Sequence, residues 1–384
     1  MGSSTSKRRD PVLSPKAAGG LNILEWTGGL VSQGLLVKGA KTGWRLAWET
    51  MMRELAPQTA DGSYSRPTAT FTSRIGSAGF PAESGRYHLY VGNACPWCHR
   101  VLLALVLRGL TGHVTFSWLT DDPERASRGG WVFDQPDPVF GRRDLREVYD
   151  TASPGYRGRC TAPLLVDKIA RRIVNNESSQ ILQMLNALQL PGCTPVELYP
   201  RELAMQIDAV NDLVYDKINN GVYKSGFATT QAAYERAQRE LYEALDIVEE
   251  RLARHRFLVG DRFTDADLRL FPTIIRFDAV YATLFKCCQR RVADYPNLSA
   301  WLHDVWQIQV GAPGSMQVRD TIDIDDARCS YFNSLFPLNP GGIVPTGPTL
   351  RELDLDHDVQ RGTHCMSSIF HTREAGGLAE SYAR

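Results

Sequence analysis

The sequence predicts an α+β chain in two parts, a small mixed-sheet domain followed by an all-helical half. Three observations carry this. Strand-like runs at residues 86–92 and 113–119 flank an apolar helix-like run, and a hairpin-then-helix pattern follows at 162–188. After Pro200 the text is helical almost throughout. With 384 residues, 43% of them hydrophobic, the chain can bury a sizeable core and ordinarily divides into two domains.

Each element has its local reason. Residues 1–20 are small and basic, with Pro11, Pro15, Gly19 and Gly20, and read as disordered. Residues 21–60 carry Trp26, Trp44 and Trp48 and read as an ordered arm, closed by the polar connection "APQTADGSYSRPTAT". "RYHLYVG" alternates like a strand. "CPWCHRVLLALVLRGL" is a helix with Pro96 in its first turn and Gly109 near its end. "HVTFSWL" is a second strand. Residues 120–159 form a long polar, Gly- and Pro-rich insertion. "APLLVD" and "RRIVNN" make a hairpin joined around Asp167 and Lys168, and "ESSQILQMLNAL" is the closing helix. The order β-α-β, insertion, β-β-α is the thioredoxin-like arrangement. The expected domains are therefore an N-terminal extension (1–60), a thioredoxin-like domain (61–193), an all-helical domain (194–337) and an extended C-terminal segment with a loosely ordered tail (338–384). In the helical half, Leu241, Leu245, Val248 and Leu252 recur at helical spacing. Thr264 followed by Asp267 is a capping-box pattern, a structural feature rather than a catalytic one.

Composition excludes several classes. Forty-three basic residues balance 43 acidic ones, and zero formal net charge argues against a nucleic-acid binder. The longest apolar run, "VLLALVL", falls far short of the ~20 residues of a membrane-spanning helix. Eight cysteines with no secretory signal pattern point to reduced thiols in the cytoplasm. Zinc is disfavoured, because "CPWC" has no second Cys-x-x-Cys or His pair at finger spacing. Cys287 and Cys288 fall in a predicted helix as packing or surface residues. "MGSSTSKRR" fits the N-myristoylation pattern, with Gly2 as acceptor, Ser6 in position and Lys7, Arg8 and Arg9 as a weak second signal for a membrane surface. A disordered start or a vector-derived leader is the alternative.

The chemistry gathers at the cysteine pair. A cysteine just before a helix meets unpaired backbone N–H groups and the positive end of the dipole, and both favour thiolate over thiol. Cys95 occupies that position, which makes it the nucleophile. Cys98 lies one turn deeper, either idle or the resolving half of a dithiol. The partner signal is "CTAPLLVD", because thioredoxin-like folds carry a cis-proline at such a strand start. There the backbone of Ala162 is left to pair with an extended peptide. "NNESSQIL" puts Glu177 and Ser178 at a helix start, where amides, dipole and hydroxyl suit a carboxylate and Glu177 suits an ammonium. Together they match the α-amino acid end of a γ-glutamyl group.

At this point "CPWCHR", "GGWVF", "YRGRCTAPLLVDK", "IVNNESSQIL", "INNGVYKSGFATTQAAYE", "RFDAVYATLFKC", "DYPNL" and "LNPGGIVPTGP" resemble the glutathionyl-hydroquinone reductases, the Xi-class glutathione transferases. The resemblance runs from about residue 85 to 348. It implies a thioredoxin-like domain, a glutathione-transferase-type helical domain and a homodimer. The implied reaction is glutathione-dependent reduction of glutathionyl-hydroquinones, with Cys95 carrying a mixed disulfide. It also implies glutathione contacts at Trp131, Arg159, Ala162, Glu177 and Ser178. For proton donation and the quinol pocket it points to Tyr223 and Tyr331, with Tyr215 next. Many members carry alanine where Cys98 stands, and "RCSYFNSLFPLNP" lacks a histidine and a second tyrosine expected in that block. A glutaredoxin-like thioltransferase or dehydroascorbate reductase, and a membrane-tethered scaffold without turnover, are the alternatives.

Overall fold

The computed structural model describes residues 32–362 and 366–373. Gly2 and the basic run Lys7, Arg8, Arg9 lie outside the described residues. The chain divides into two compact units, Met1–Leu55 and Ala56–Arg384. In the first, the described part is helix α1 (Gln33–Leu55), on which Arg45 pairs with Glu49 one turn on at 2.8 Å.

The second unit begins with a five-stranded sheet of order β3-β2-β1-β4-β5, formed by β1 (Tyr87–Gly92), β2 (Val114–Asp121), β3 (Trp131–Val132), β4 (Leu164–Asp167) and β5 (Arg172–Asn175). β1 and β2 are parallel and joined by helix α2 (Pro96–Leu107), while β4 is antiparallel to β1 and β5 to β4. The alternation read in "RYHLYVG" does not become alternating exposure. All six residues of β1 are buried, because this is the central strand and both its faces are covered.

The second cover comes from the insertion, which is far from structureless. β3 pairs with β2, helix α3 (Leu145–Ala152) starts on an Asp144 cap, and Phe133, Phe140, Leu145, Val148 and Tyr149 pack with Tyr90, Leu164 and Val166 of the sheet. Tyr90 donates to Asp137 at 2.7 Å, and the same carboxylate gathers the N–H groups of Val139, Phe140 and Arg142. On α2 every residue is buried, including His99 and Arg100, whose polar groups are met by Thr321 and Ser178. It packs against helix α4 (Ser178–Ala187) and against the helical half. The hairpin turn between β4 and β5 occupies residues 168–171, a little later than predicted, with Asp167 accepting from the N–H groups of Ile169 and Ala170.

In the helical half, α5 (Ala204–Leu213) continues through a π-helical turn (Val214–Asn219) into α6 (Asn220–Gly226). Helix α7 (Gln231–Leu252) buries Leu241, Leu245, Val248 and Leu252 as the spacing predicts. Helix α8 (Asp265–Arg276) runs into a second π-helical turn (Phe277–Tyr281) and the short α9 (Ala282–Leu284). The Thr264–Asp267 capping box is present, and Asp267 also accepts from Trp301 at 3.0 Å. Helices α10 (Pro296–Trp306) and α11 (Ile324–Ser334) complete the packing. Cys287 and Cys288 are not helical. They lie in the loop after α9, the first buried and the second exposed.

Part of the segment expected to be loose is docked. Beyond the small helices α12 (Leu350–Leu353) and α13 (Met366–Ile369), strand β7 (His371–Thr372) pairs with β6 (Val196–Glu197), while Arg373 ion-pairs with Glu197 and donates to the Asn186 carbonyl at 2.7 Å. Ile369 and Phe370 are wholly buried there, which supplies the apolar reason. Among the described residues no helix is long and apolar enough to cross a membrane.

Candidate active site

The site is built where β1 hands over to α2. At Gly92 a side chain would overlap the Trp131 ring, so only glycine lets the chain turn closely there. Asn93 and Ala94 follow, and Cys95 is the N-cap of α2, in extended conformation, with Pro96 in the first turn. The Cys95 side chain makes no cap hydrogen bond to the backbone by geometry, yet its sulfur sits over the orphan N–H end of the helix. Several groups draw its thiol down to about 7 against the effect of burial: the Cys98 S–H first, then the Cys98 N–H, the Arg66 charge and the Trp97 N–H. Cys95 is half-buried, and its sulfur lies 3.8 Å from the Ala162 carbonyl oxygen. The Ala162–Pro163 peptide is cis, as the strand-start pattern predicts. Cys98 is wholly buried and its thiol is pushed well up, by desolvation and by its neighbour's sulfur.

This electrostatic setting has a direct consequence. Alkylation of Cys95 by iodoacetamide is expected to reach half its maximal rate near pH 7 and to fall as pH drops below that. In Cys98→Ala, which loses the largest stabilising contact, the midpoint moves upward. A midpoint at ~8.5 in the wild type, the value of an ordinary thiol, would contradict the assignment.

Two devices from the helical half hold the turn that precedes Cys95. Arg276, at the end of α8, is fully buried and donates to the carbonyls of Ala94 (3.0 Å), Asn93 (2.7 Å) and Pro272 (2.8 Å), and to His99 Nδ1 (2.9 Å). A guanidinium only donates, so His99 Nδ1 accepts and its Nε2–H donates to Thr321 Oγ1 at 2.8 Å. That imidazole is neutral, held well below its usual range by burial and by the Arg276 charge. From the other side, the Asn93 amide group donates to the Asp323 carbonyl and the Asp326 carboxylate and accepts from the Asp323 N–H. Neither Arg276 nor His99 was singled out in the sequence, although "CPWCHR" and "RFDAVY" contain them.

A cleft of about 340 Å³ lies beside the Ala162–Pro163 peptide, lined by Tyr64, Arg66, Arg159, Ala162, Glu177 and Ser178 among others. Four of the five predicted glutathione contacts therefore share one cavity. Glu177 caps α4, its carboxylate accepting from the Ser179 N–H at 3.2 Å. Ser178 is buried, and its hydroxyl accepts two bonds from Arg100, at 2.6 and 3.1 Å. Both donated bonds end on the Ser178 oxygen, which leaves its proton to point elsewhere. The Arg100 guanidinium also stands 3.6 Å from Glu177, so a fixed positive charge backs the amino end of α4. Trp131, the fifth, lines a different cavity of about 600 Å³ together with Asn93, Ala94 and Asp121.

The predicted tyrosines do meet. The Tyr223 and Tyr331 hydroxyls are 2.6 Å apart, and Tyr281, which sequence reasoning missed, joins Tyr331 at 3.2 Å. Burial raises all three phenols, and those of Tyr223 and Tyr281 also feel the charge of Cys95. Trp97, next to the nucleophile, stacks on Tyr223 at 6.4 Å and carries the Arg66 guanidinium 3.8 Å over its face. Tyr215 stands in the first π turn, edge-on to Trp97 at 6.0 Å and 40% exposed. Tyr281 ends the second π turn. Such a turn shifts the register of a helix, which is why a regular 3.6-residue period does not place Tyr281 beside the other two rings. Among the described residues no group of three or more His, Cys, Asp or Glu side chains could hold a metal ion.

A thioredoxin-like domain bearing a helix-mouth cysteine and a cis-proline, followed by an all-helical domain, defines a glutathione transferase. Family models for the glutathione S-transferase N-terminal domain and C-terminal domain match residues 94–188 and 231–304. The glutathionyl-hydroquinone reductase PcpF of Sphingobium chlorophenolicum is 44% identical over 321 residues, covering 82% of this chain and 96% of its own. Among solved structures, the Xi glutathione S-transferase of Phanerochaete chrysosporium aligns with a TM-score of 0.69 and 42% identity, over 76% of this chain and 94% of that one. The glutathione-bound structure of YqjG, a glutathione transferase homolog from Escherichia coli K-12, aligns with a TM-score of 0.69 and 39% identity, over 79% and 99%. The chain belongs to the glutathionyl-hydroquinone reductase family, the Xi class of glutathione transferases.

Proposed function

We propose that this chain is a glutathione-dependent reductase that removes glutathione from glutathionyl-hydroquinones. The observation that carries the reading is the half-exposed Cys95 sulfur, with the cleft at Ala162 on one side and coupled electrostatically to the buried tyrosines. In the proposed reaction the glutathionyl group occupies the cleft. Glu177 receives its ammonium, Ser178 and the amino end of α4 its α-carboxylate, and the Ala162 backbone its peptide, with Arg159 at the rim. Trp131 contributes from the neighbouring cavity.

The Cys95 thiolate attacks the sulfur of the substrate's glutathionyl group. The bond between that sulfur and the ring carbon breaks, and its electron pair stays on carbon, which must be protonated. Tyr223, backed by Tyr331, supplies the proton. Its raised phenol stays protonated at neutral pH, and the Tyr331 hydroxyl at 2.6 Å can pass on a replacement. The hydroquinone leaves, Cys95 is left as a mixed disulfide, and a second glutathione thiolate takes the glutathionyl sulfur to give glutathione disulfide. This is ping-pong covalent catalysis. Tyr215, at the open edge of Trp97, borders the quinol side.

The test is turnover of a glutathionyl-hydroquinone with glutathione, following hydroquinone and glutathione disulfide together; a folded protein that releases neither would overturn the reading. Tyr223→Phe and Tyr331→Phe are expected to lower kcat by about 10²-fold, the usual worth of a positioned acid, with KM little changed. Unchanged kcat in both would remove the tyrosines from the mechanism.

The finer expectations belong to the same reading: a homodimer acting in the cytoplasm, with an acylated Gly2 and the adjoining basic residues bringing a fraction to a membrane surface. Light scattering of the purified protein tests the first. The mass of the native N-terminal peptide tests the acylation, and an unmodified Gly2 would remove the membrane link.

A further inference from the structure

The reading above leaves Cys98 without a chemical part, yet the structure surrounds it in a specific way. Cys95 and Cys98 occupy the N-cap and the third residue of one helical turn. Residues three apart at the start of a helix face the same side with their Cα atoms about 5 Å apart, inside the Cα span that a disulfide bridges. Cys98 is 1% exposed, so the sulfur next to it can reach it while glutathione in solution cannot. Its S–H hydrogen-bonds the Cys95 sulfur, and the Gly92 backbone and the Arg276 charge both favour its own anion. What opposes that anion, beyond burial, is the hydrogen bond to Cys95 and the negative charge of Cys95. Both are removed the moment Cys95 becomes a mixed disulfide.

We propose that Cys98 is a resolving thiol, which releases glutathione from Cys95 and closes an internal Cys95–Cys98 disulfide. The proposal rests on the reading that Cys95 becomes glutathionylated. In the step, the Cys98 sulfur attacks the Cys95 sulfur of the mixed disulfide. The bond from Cys95 to the glutathionyl sulfur breaks, its electron pair leaves on glutathione, and the proton given up by Cys98 ends there. Cys98 is oxidised and the glutathionyl sulfur is reduced. Glutathione thiolate then attacks the half-exposed Cys95 sulfur, the bond to Cys98 breaks, and its electron pair and a proton return to Cys98. A second glutathione thiolate attacks the newly bound glutathionyl sulfur, leaves as glutathione disulfide and returns Cys95 to its thiolate. With glutathione scarce, the chain would rest as its internal disulfide, a form that a sequence with alanine at this position cannot make.

The experiment is a stoichiometric reaction of the full, reduced chain, stripped of glutathione, followed by acid quench and intact mass. One arm uses glutathione disulfide and the other a glutathionyl-hydroquinone. Wild type is expected to end two hydrogens lighter in both arms with no adduct, and Cys98→Ala to keep the mass of one glutathionyl group. A wild type that holds the adduct as stably as Cys98→Ala overturns the proposal. Peptide mapping of the wild type alone decides the same question without any variant. A joined Cys95–Cys98 peptide supports the resolving role, and a Cys98 still free for alkylation after denaturation sinks it. If only the glutathione disulfide arm reacts, the internal disulfide stands and the hydroquinone reading falls.

Discussion

Cys95→Ser is expected to lower kcat/KM for a glutathionyl-hydroquinone by at least about 10³-fold, as removal of a covalent nucleophile does elsewhere. The reason is ionisation as much as reactivity. The helix end, the Cys98 S–H and Arg66 bring a thiol to about 7, where half of it is thiolate at neutral pH. The same surroundings act on an alcohol that starts many units higher, and they leave serine protonated. Binding should survive, because the cleft residues at Ala162, Glu177 and Ser178 do not depend on the sulfur, so calorimetry should return a glutathione affinity close to wild type. A variant that retains a tenth of wild-type turnover would mean that the nucleophile lies elsewhere. The wild-type pH profile checks the same claim independently. The active form is the deprotonated one and its pKa is lowered, so activity holds above pH 7. It is lost as pH falls, by about tenfold for each unit once well below 7.

What the sequence revealed depended on whether the information was local. The N-cap position of Cys95, the cis-proline pattern at Ala162–Pro163 and the Thr264–Asp267 capping box each sit within a few residues, and each has the predicted geometry. Arg276 escaped notice because its partners, Asn93, Ala94 and His99, lie some 180 positions away and two of them are backbone carbonyls. Tyr281 escaped because a π turn, rather than a regular period, brings its hydroxyl to Tyr331. The packing of the insertion is not legible locally for a different reason. Its aromatic and aliphatic residues are spaced too widely among glycines and prolines to show a period, yet Phe133, Phe140 and Tyr149 close over one face of the sheet. Trp131 is placed differently from the other four expected glutathione contacts. It lies against Gly92, close in sequence to the nucleophile, but it opens onto another cavity.

Arg276→Met should reveal how much of the site is held from the helical half. The side chain is fully buried and makes four hydrogen bonds, three of them to main-chain carbonyls. Methionine fills much of the volume but strands the Asn93 and Ala94 carbonyls in the interior, each an unsatisfied acceptor at a cost of about 1–3 kcal/mol. The expected loss of stability, read from urea unfolding, is therefore roughly 3–5 kcal/mol, comparable with breaking a buried charged network. Arg276→Lys keeps the charge, but three donors on one nitrogen cannot replace a guanidinium fork that serves three carbonyls and an imidazole, so an intermediate loss is expected. Activity should fall further than the folded fraction does. The freed turn carries Cys95 out of register with the cleft, and the Cys95 alkylation midpoint should broaden or rise in the folded variant. A methionine variant within ~1 kcal/mol of wild type, the worth of one ordinary hydrogen bond, would mean that the turn before Cys95 is held by Asn93 and the α11 contacts alone.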